Sequence, residues 1–192
     1  MKGGHLIGRP SMIVSVAVCK SCSSMRIVND GGVAIFSGNL DVKALGGAGF
    51  ASQRSTLLPP GQFYDVSGYN AIAIHILRGD GREYAFNIKN IEGERTPDGR
   101  VNSSIEYKTT FQTVKDQEGL YITKFRDFKP YYRGRPAEDA KPLDTSKITS
   151  FSIMCQSFFG KQEGYFELSI LAISAVTDAW LRDNAPGGPR GV

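Results

Sequence analysis

Short runs of alternating apolar and polar residues, cut apart by glycine and proline, limit what this chain can fold into more than any other feature. Ile72, Ile74 and Ile76 recur at every second position, with Ala73 and His75 between them. Tyr84, Phe86 and Ile88 repeat the pattern, as do Ile105, Tyr107, Thr109 and Phe111, and then Leu120 and Ile122. A period of two puts successive side chains on opposite faces of a strand and buries one face. Phe36, Gly38, Leu40 and Val42 predict an early strand, and Phe166, Leu168 and Ile170 a late one. Phe151, Ile153 and Cys155, with Met154 among the intervening residues, predict a strand buried on both faces. Gly79-Asp80-Gly81 joins two alternating runs, which predicts a tight β-hairpin, because Asp-Gly tolerates the positive φ such turns need.

Helix signals are few: Leu143 to Lys147 can form one turn, and Ala175 to Leu181 a short helix that carries the only tryptophan, Trp180. About eight short strands with Gly/Pro punctuation predict an all-β fold, an antiparallel β-sandwich or jelly roll. The expected organisation is an atypical segment over residues 1–27, a β-sandwich domain over 28–174, and a short helix with a disordered Pro/Gly tail over 175–192.

Residues 125–144 interrupt the alternation. They hold three prolines and one glycine, which oppose helix and continuous strand, together with four aromatics and three arginines. An ordered loop is expected, anchored by Phe125 and Phe128, with Arg126, Arg133 and Arg135 pairing Asp127, Asp139 and Asp144. Tyr131, Tyr132, Arg133 and Arg135 are the candidate partner-binding residues, since Tyr and Arg dominate interface anchors; simple pinning of the loop is the other reading.

Charge narrows the function classes. Lys2, Arg9, Lys20 and Arg26 are unopposed by any acid in the first 29 residues and account for the whole formal charge of +4, leaving the globular part neutral. That argues against a nucleic-acid binder, which needs a concentrated basic face. The acid-free, serine-rich start suits an organelle transit peptide, with a secretory signal over Met12 to Val18 as the rival. No apolar run approaches the roughly 20 residues of a transmembrane helix. Three cysteines form no disulfide framework, and Cys19-Lys-Ser-Cys22 lacks the second pair a zinc site requires.

Catalytic patterns are missing. The two histidines, His5 and His75, accompany no nucleophile motif, and Asp80, Asp98 and Asp116 sit where turn formation explains them. The glycines of Leu45-Gly-Gly-Ala-Gly-Phe50 are not followed by a helix whose N-terminus could hold a phosphate. Neither enzyme activity, metal nor cofactor is expected. Asn102-Ser-Ser104 is a glycosylation sequon that matters only in a secreted chain.

Six separated motifs carry a resemblance: Leu45 to Arg54, Asp65-Val-Ser-Gly-Tyr-Asn70, Arg78-Gly-Asp-Gly81, Phe128 to Pro136, Pro142-Leu-Asp144 and Phe151-Ser-Ile-Met154. In that order they resemble the complex I intermediate-associated protein 30 family over about residues 28 to 174. The resemblance implies a galactose-binding-like jelly roll and a non-enzymatic assembly factor or chaperone for mitochondrial NADH:ubiquinone oxidoreductase, binding unfolded or partly assembled subunits. It implies a mitochondrial location, matrix or inner-membrane associated, with the cytoplasm as the alternative. Gly46, Gly47, Phe50, Ala51, Arg54, Gly68, Tyr69, Gly79, Asp80, Gly81, Asp127, Phe128, Arg133, Gly134, Pro142 and Asp144 fall on its motif positions, mostly as structural residues, with Arg54 or Arg133 as buried ion-pair partners. Met1-Lys-Gly-Gly4 resembles a remnant of the family's first motif, and residues 6–24 match nothing in it. The alternative function is a carbohydrate-binding jelly-roll module, with Tyr131, Tyr132, Phe158 and Phe159 as a stacking platform.

Overall fold

The computed structural model describes residues 5–6, 21–28, 30, 32–42 and 48–184. Its strands are β1 (His5–Leu6), β2 (Cys22–Val28), β3 (Val33–Leu40), β4 (Phe50–Arg54), β5 (Ala71–Arg78), β6 (Glu83–Lys89), β7 (Glu106–Gln112), β8 (Gly119–Lys124), β9 (Lys129–Tyr132), β10 (Arg135–Pro136), β11 (Ser150–Gln156) and β12 (Gly164–Val176). A 3₁₀ turn spans Phe125–Asp127 and one helix, α1, spans Asp178–Asn184. The strands form two six-stranded antiparallel sheets. The first has the order β2-β3-β12-β5-β8, with β1 beside the end of β12 that β3 leaves unpaired. The second has the order β10-β9-β7-β6-β11-β4.

The alternation read from the sequence packs these sheets face to face. Phe36, Phe166, Leu168 and Ile170 from the first meet Tyr84, Phe86, Ile88 and Ile153 from the second in one core. Phe36 lies 5.0 Å from Phe166 and 6.1 Å from Tyr84 between ring centroids. Strand β5 is buried on both faces over Ala71–Ile74, because Trp180 and Leu181 of α1 pack with Ala71, Ala73 and Val176 outside the first sheet.

The expected hairpin at Gly79-Asp80-Gly81 is not one. Strand β5 belongs to the first sheet and β6 to the second, so this turn is a corner that passes the chain between sheets. Gly81, at φ 85, supplies the same backbone angle a hairpin would use. Long-range pairing, with β12 and β8 for β5 and with β11 and β7 for β6, decides the outcome.

Residues 125–144 also depart from a plain loop. Lys129–Tyr132 and Arg135–Pro136 form a hairpin that adds two strands to the second sheet. Arg133 and Gly134, at φ 49 and 76, make its two-residue turn, the conformation that matches strand twist. Pro136 is tolerated because β10 is the outermost strand, where a missing N–H breaks no ladder. Phe128 is buried and Phe125 stacks on it at 6.3 Å, as expected of the anchors. Arg126 pairs with Asp127 at 3.8 Å on the surface as expected, whereas Arg133 donates to Ser103 Oγ at 3.3 Å. Asp144 instead accepts from Ser146 N at 3.0 Å, in the turn that replaces the expected helical one. Strand β11 buries Phe151, Ile153 and Cys155 on its core face; on its other face Ser150 is buried and Ser152, Met154 and Gln156 are half-buried.

Asp80 holds the corner together. Its Oδ2 accepts from Tyr84 Oη at 2.8 Å and from Glu167 N at 3.0 Å, and its Oδ1 accepts from Arg82 N at 3.0 Å. Burial, reinforced by the Asp80 charge, pushes the Tyr84 hydroxyl well above its ordinary pKa, so it stays a donor. Asp80→Ala strips an acceptor from a fully buried tyrosine and is expected to cost about 2–4 kcal/mol in urea unfolding, whereas Tyr84→Phe should cost about 1 kcal/mol. Burial also pushes the Cys155 thiol up to about 12. Mass-spectrometric mapping should therefore find exposed Cys22 alkylated in the native protein and Cys155 alkylated only after unfolding.

Candidate functional site

The outward face of the second sheet is the part of the surface that folding alone does not explain. Alternation sends Tyr84, Phe86 and Ile88 of β6 into the core, so Ala85 and Asn87 face away from it. Solvated side chains are the norm there. Instead Ala85, Asn87 and Lys108 are buried, Asn87 to 1% exposure, so neighbouring side chains cover this face.

One row of residues crosses that face. Arg54 stands opposite Ser152, Ser152 opposite Asn87, Asn87 opposite Lys108 and Lys108 opposite Lys129. Asn87 Nδ2 donates to Ser152 Oγ at 3.2 Å, while Asn87 Oδ1 has no hydrogen-bond partner among the described residues. A buried amide acceptor left unpaired costs about 1–3 kcal/mol, which evolution tolerates at sites that take a ligand or water.

Next to the row, a groove of about 350 Å³ is lined by Ser52, Arg54, Lys89, Glu92, Glu106, Ser150, Ser152 and Met154, with Thr56 and Leu57 at its rim. Glu92 comes from the β6–β7 connection and is fixed on three sides: Ser150 Oγ donates to it at 2.5 Å, Thr149 Oγ1 at 2.9 Å and Arg54 Nη1 at 3.3 Å. Gly93 allows that connection to close, because a Cβ there would lie 1.6 Å from the Asn102 carbonyl oxygen. At the other side Lys108 Nζ lies 3.3 Å from Glu106 Oε1, 3.5 Å from Gln156 Oε1 and 5.0 Å from the centre of the Tyr131 ring. Each charge in the row's two pairs, Arg54–Glu92 and Lys108–Glu106, is neutralised by its neighbour.

The sequence candidates fall in different places. Tyr131 lies opposite Glu106 and joins the edge of the concave face. Tyr132, Arg133 and Arg135 sit at the exposed end of the β9–β10 hairpin, with the Arg133 guanidinium 5.4 Å from the Tyr132 ring centre. Phe158 and Phe159 follow Gln156 at the far end of β11, whereas Tyr131 lies in register beyond its first residue, Ser150, so these aromatics form no single platform. Arg54 and Arg133 are both exposed, which corrects their expected burial; only Arg54 is ion-paired, with Glu92.

Among the other motif positions, Phe50 is exposed on edge strand β4 while Ala51 beside it is buried. Gly68 sits in the turn closed by Tyr69 N donating to Val66 O at 3.0 Å, and Tyr69 packs on the core. Gly79 is buried where a Cβ would meet the Val114 carbonyl at 2.6 Å. Asp127 and Pro142 are exposed. Gly46, Gly47, Cys19 and Met1 to Gly4 lie outside the described residues. His75 pairs with Glu118 at 2.5 Å on the surface of the first sheet. Among the described residues no group of His, Cys, Asp and Glu is placed to hold a metal ion, and no helix is long and apolar enough to cross a membrane. Asn87 and Lys108 were missed by sequence reasoning, since a polar residue in an alternating strand reads as solvated.

A family model described as complex I intermediate-associated protein 30 matches residues 19–170. The chain belongs to the complex I intermediate-associated protein 30 family. The match takes in β2 and residues 19–24, part of the stretch that the motif resemblance left unmatched. A Schizosaccharomyces pombe relative, named Uncharacterized protein C9E9.15, is 41% identical over 142 residues, which are 73% of this chain and 64% of that protein. The chain thus spans just under two thirds of the relative's length. Among solved structures, the family 11 carbohydrate-binding module of the cellulosomal cellulase Lic26A-Cel5E of Clostridium thermocellum has the same fold, with a TM-score of 0.62 at 15% identity, covering 91% of this chain and 95% of the module. The same kind of module in complex with a β-1,3-1,4-mixed-linked tetrasaccharide gives a TM-score of 0.60 at 15% identity, over 90% of this chain and 94% of the module. These likenesses establish the jelly-roll fold.

The buried lysine carries a test of the site's construction. Lys108→Met is expected to cost about 1–3 kcal/mol in urea unfolding by leaving Glu106 unpaired, and adding Glu106→Gln should recover most of that loss.

Proposed function

We propose that this chain is a non-enzymatic binding module that assists assembly of mitochondrial complex I by holding assembly intermediates. Family membership over residues 19–170 is the observation that carries this reading. The partners are complex I subunits or other assembly factors, met in the mitochondrial matrix or at the inner membrane. The β9–β10 hairpin is the contact surface on this reading: Tyr132 offers an exposed ring, Arg133 stacks beside it, and Arg135 stands opposite Tyr132 in register. A rigid two-residue turn presents these side chains at low entropic cost, a property of interface anchors.

A second reading, carbohydrate binding, is favoured by one specific observation. The concave face is polar and hydroxyl-lined, in a fold shared with carbohydrate-binding modules, one of them solved with a mixed-linked tetrasaccharide. Such a surface suits a hydrated ligand better than an apolar polypeptide segment.

Native-gel analysis of respiratory complexes in cells lacking the protein tests the first reading. Assembled complex I should fall, return with the wild-type chain, and stay low with a folded Tyr132→Ala/Arg133→Ala/Arg135→Ala variant. Normal complex I in the deficient cells would sink the assembly role, and full rescue by the triple variant would remove the hairpin from it.

A further inference from the structure

We infer that the outward groove of the second sheet is a saccharide site in which Asn87 determines specificity; this rests on the carbohydrate reading above and names where and how the sugar is held. Asn87 is 1% exposed on the face turned away from the core, and its Oδ1 lacks a partner among the described residues. The fold uses its Nδ2, which donates to Ser152 Oγ at 3.2 Å, and leaves only the Oδ1 without a role. Asn87 does not itself line the groove, but its sheet neighbours Lys89, Glu106, Ser150 and Ser152 do, so the unpaired acceptor lies beneath the groove, where a ligand that brings a donor satisfies it.

The surroundings specify the donor's chemistry. Arg54 is taken by Glu92 and Lys108 by Glu106, which leaves Lys89 as the one cation lining the groove that has no ion pair among the described residues. A single uncompensated lysine is fewer than the clustered cations that hold phosphate, sulfate and polyacidic ligands. The hydroxyls of Ser52, Ser150 and Ser152, beside the amide of Asn87, offer donors and acceptors in close alternation. A sugar hydroxyl both donates and accepts, so it can give its proton to Asn87 Oδ1 and take one from a neighbouring serine. The groove's 350 Å³ falls within the range of small-ligand sites, and Tyr131 stands in register beside its lining residue Glu106. The exposed aromatics Tyr132 and Phe159 have no part in it.

The deciding experiment is amide NMR of the full ¹⁵N-labelled chain titrated with a panel of neutral tetrasaccharides, the β-1,3-1,4-mixed-linked glucan and cellotetraose among them. Saturable shifts at the Asn87 side-chain amide and the backbone of Ser152 and Glu106 are expected. Asn87→Ala should weaken binding about tenfold, the loss of one hydrogen bond to a buried acceptor, while Tyr132→Ala leaves it unchanged. If Asn87→Ala fails to fold, the wild-type shift map still decides. Saccharide shifts confined to the β9–β10 hairpin or to residues 158–160 would overturn the placement while leaving the carbohydrate reading standing. No shift with any saccharide at millimolar concentration would overturn both. Displacement of no sugar but saturation by a polar tetrapeptide at the same residues would overturn the saccharide assignment.

Discussion

The Asp80 carboxylate is the constraint on which the two sheets' relation depends. It sits where the chain leaves the first sheet for the second, and it accepts hydrogen bonds from both: the Glu167 amide of β12 on one side and the Tyr84 hydroxyl of β6 on the other. Tyr84 is the residue around which the aromatic core is arranged, touching Phe36, Phe111 and Phe166. A single carboxylate therefore sets the angle of the corner and keeps the largest buried hydroxyl satisfied. Without it, the buried Tyr84 hydroxyl would need another acceptor.

Once the corner is set, the second sheet has one face committed to the core and one face free. The free face is concave, and it is built differently from the core in every respect. Its buried members are Asn87, Lys108 and Ser150 beside Ala85, and the polar ones are held by hydrogen bonds and ion pairing. Glu92 illustrates the design: a loop carboxylate is pinned by two hydroxyls and a guanidinium, and its loop closes only because Gly93 carries no side chain. Each of these interactions is modest in isolation. Together they make a rigid polar surface, which is the property a recognition site needs. The β9–β10 hairpin adds to the same sheet and so shares its rigidity, placing Tyr131 at the groove while Tyr132 and Arg133 project elsewhere.

Much of this was readable in advance, and the failures have a common cause. Period-two alternation located β3, β5, β6, β7, β8, β11 and β12, because burial of one strand face is written in consecutive residues. The turn at Asp80-Gly81 was misread because a corner and a hairpin ask for the same local φ, and only distant strands distinguish them. The β9–β10 hairpin was obscured by its prolines, which are compatible with strand only at a sheet edge, a position no local pattern reveals. Asn87 was invisible for a related reason: a polar residue between Phe86 and Ile88 looks like the solvated half of an amphipathic strand, and its burial depends on how the sheet curves.

The amino-acid sequence by itself determined the fold class, the faces of the strands, the neutrality of the globular part and, through ordered motifs, the family. These follow from interactions between residues near in sequence, or from composition summed over the chain. Tertiary structure alone decided which strands became neighbours, where the corner lay and which polar side chains were enclosed. Those outcomes depend on pairings such as Asn87 with Ser152 and Asp80 with Glu167, separated by 65 and 87 residues. At such separations the partner is chosen by the packing of the whole sandwich rather than by any local preference.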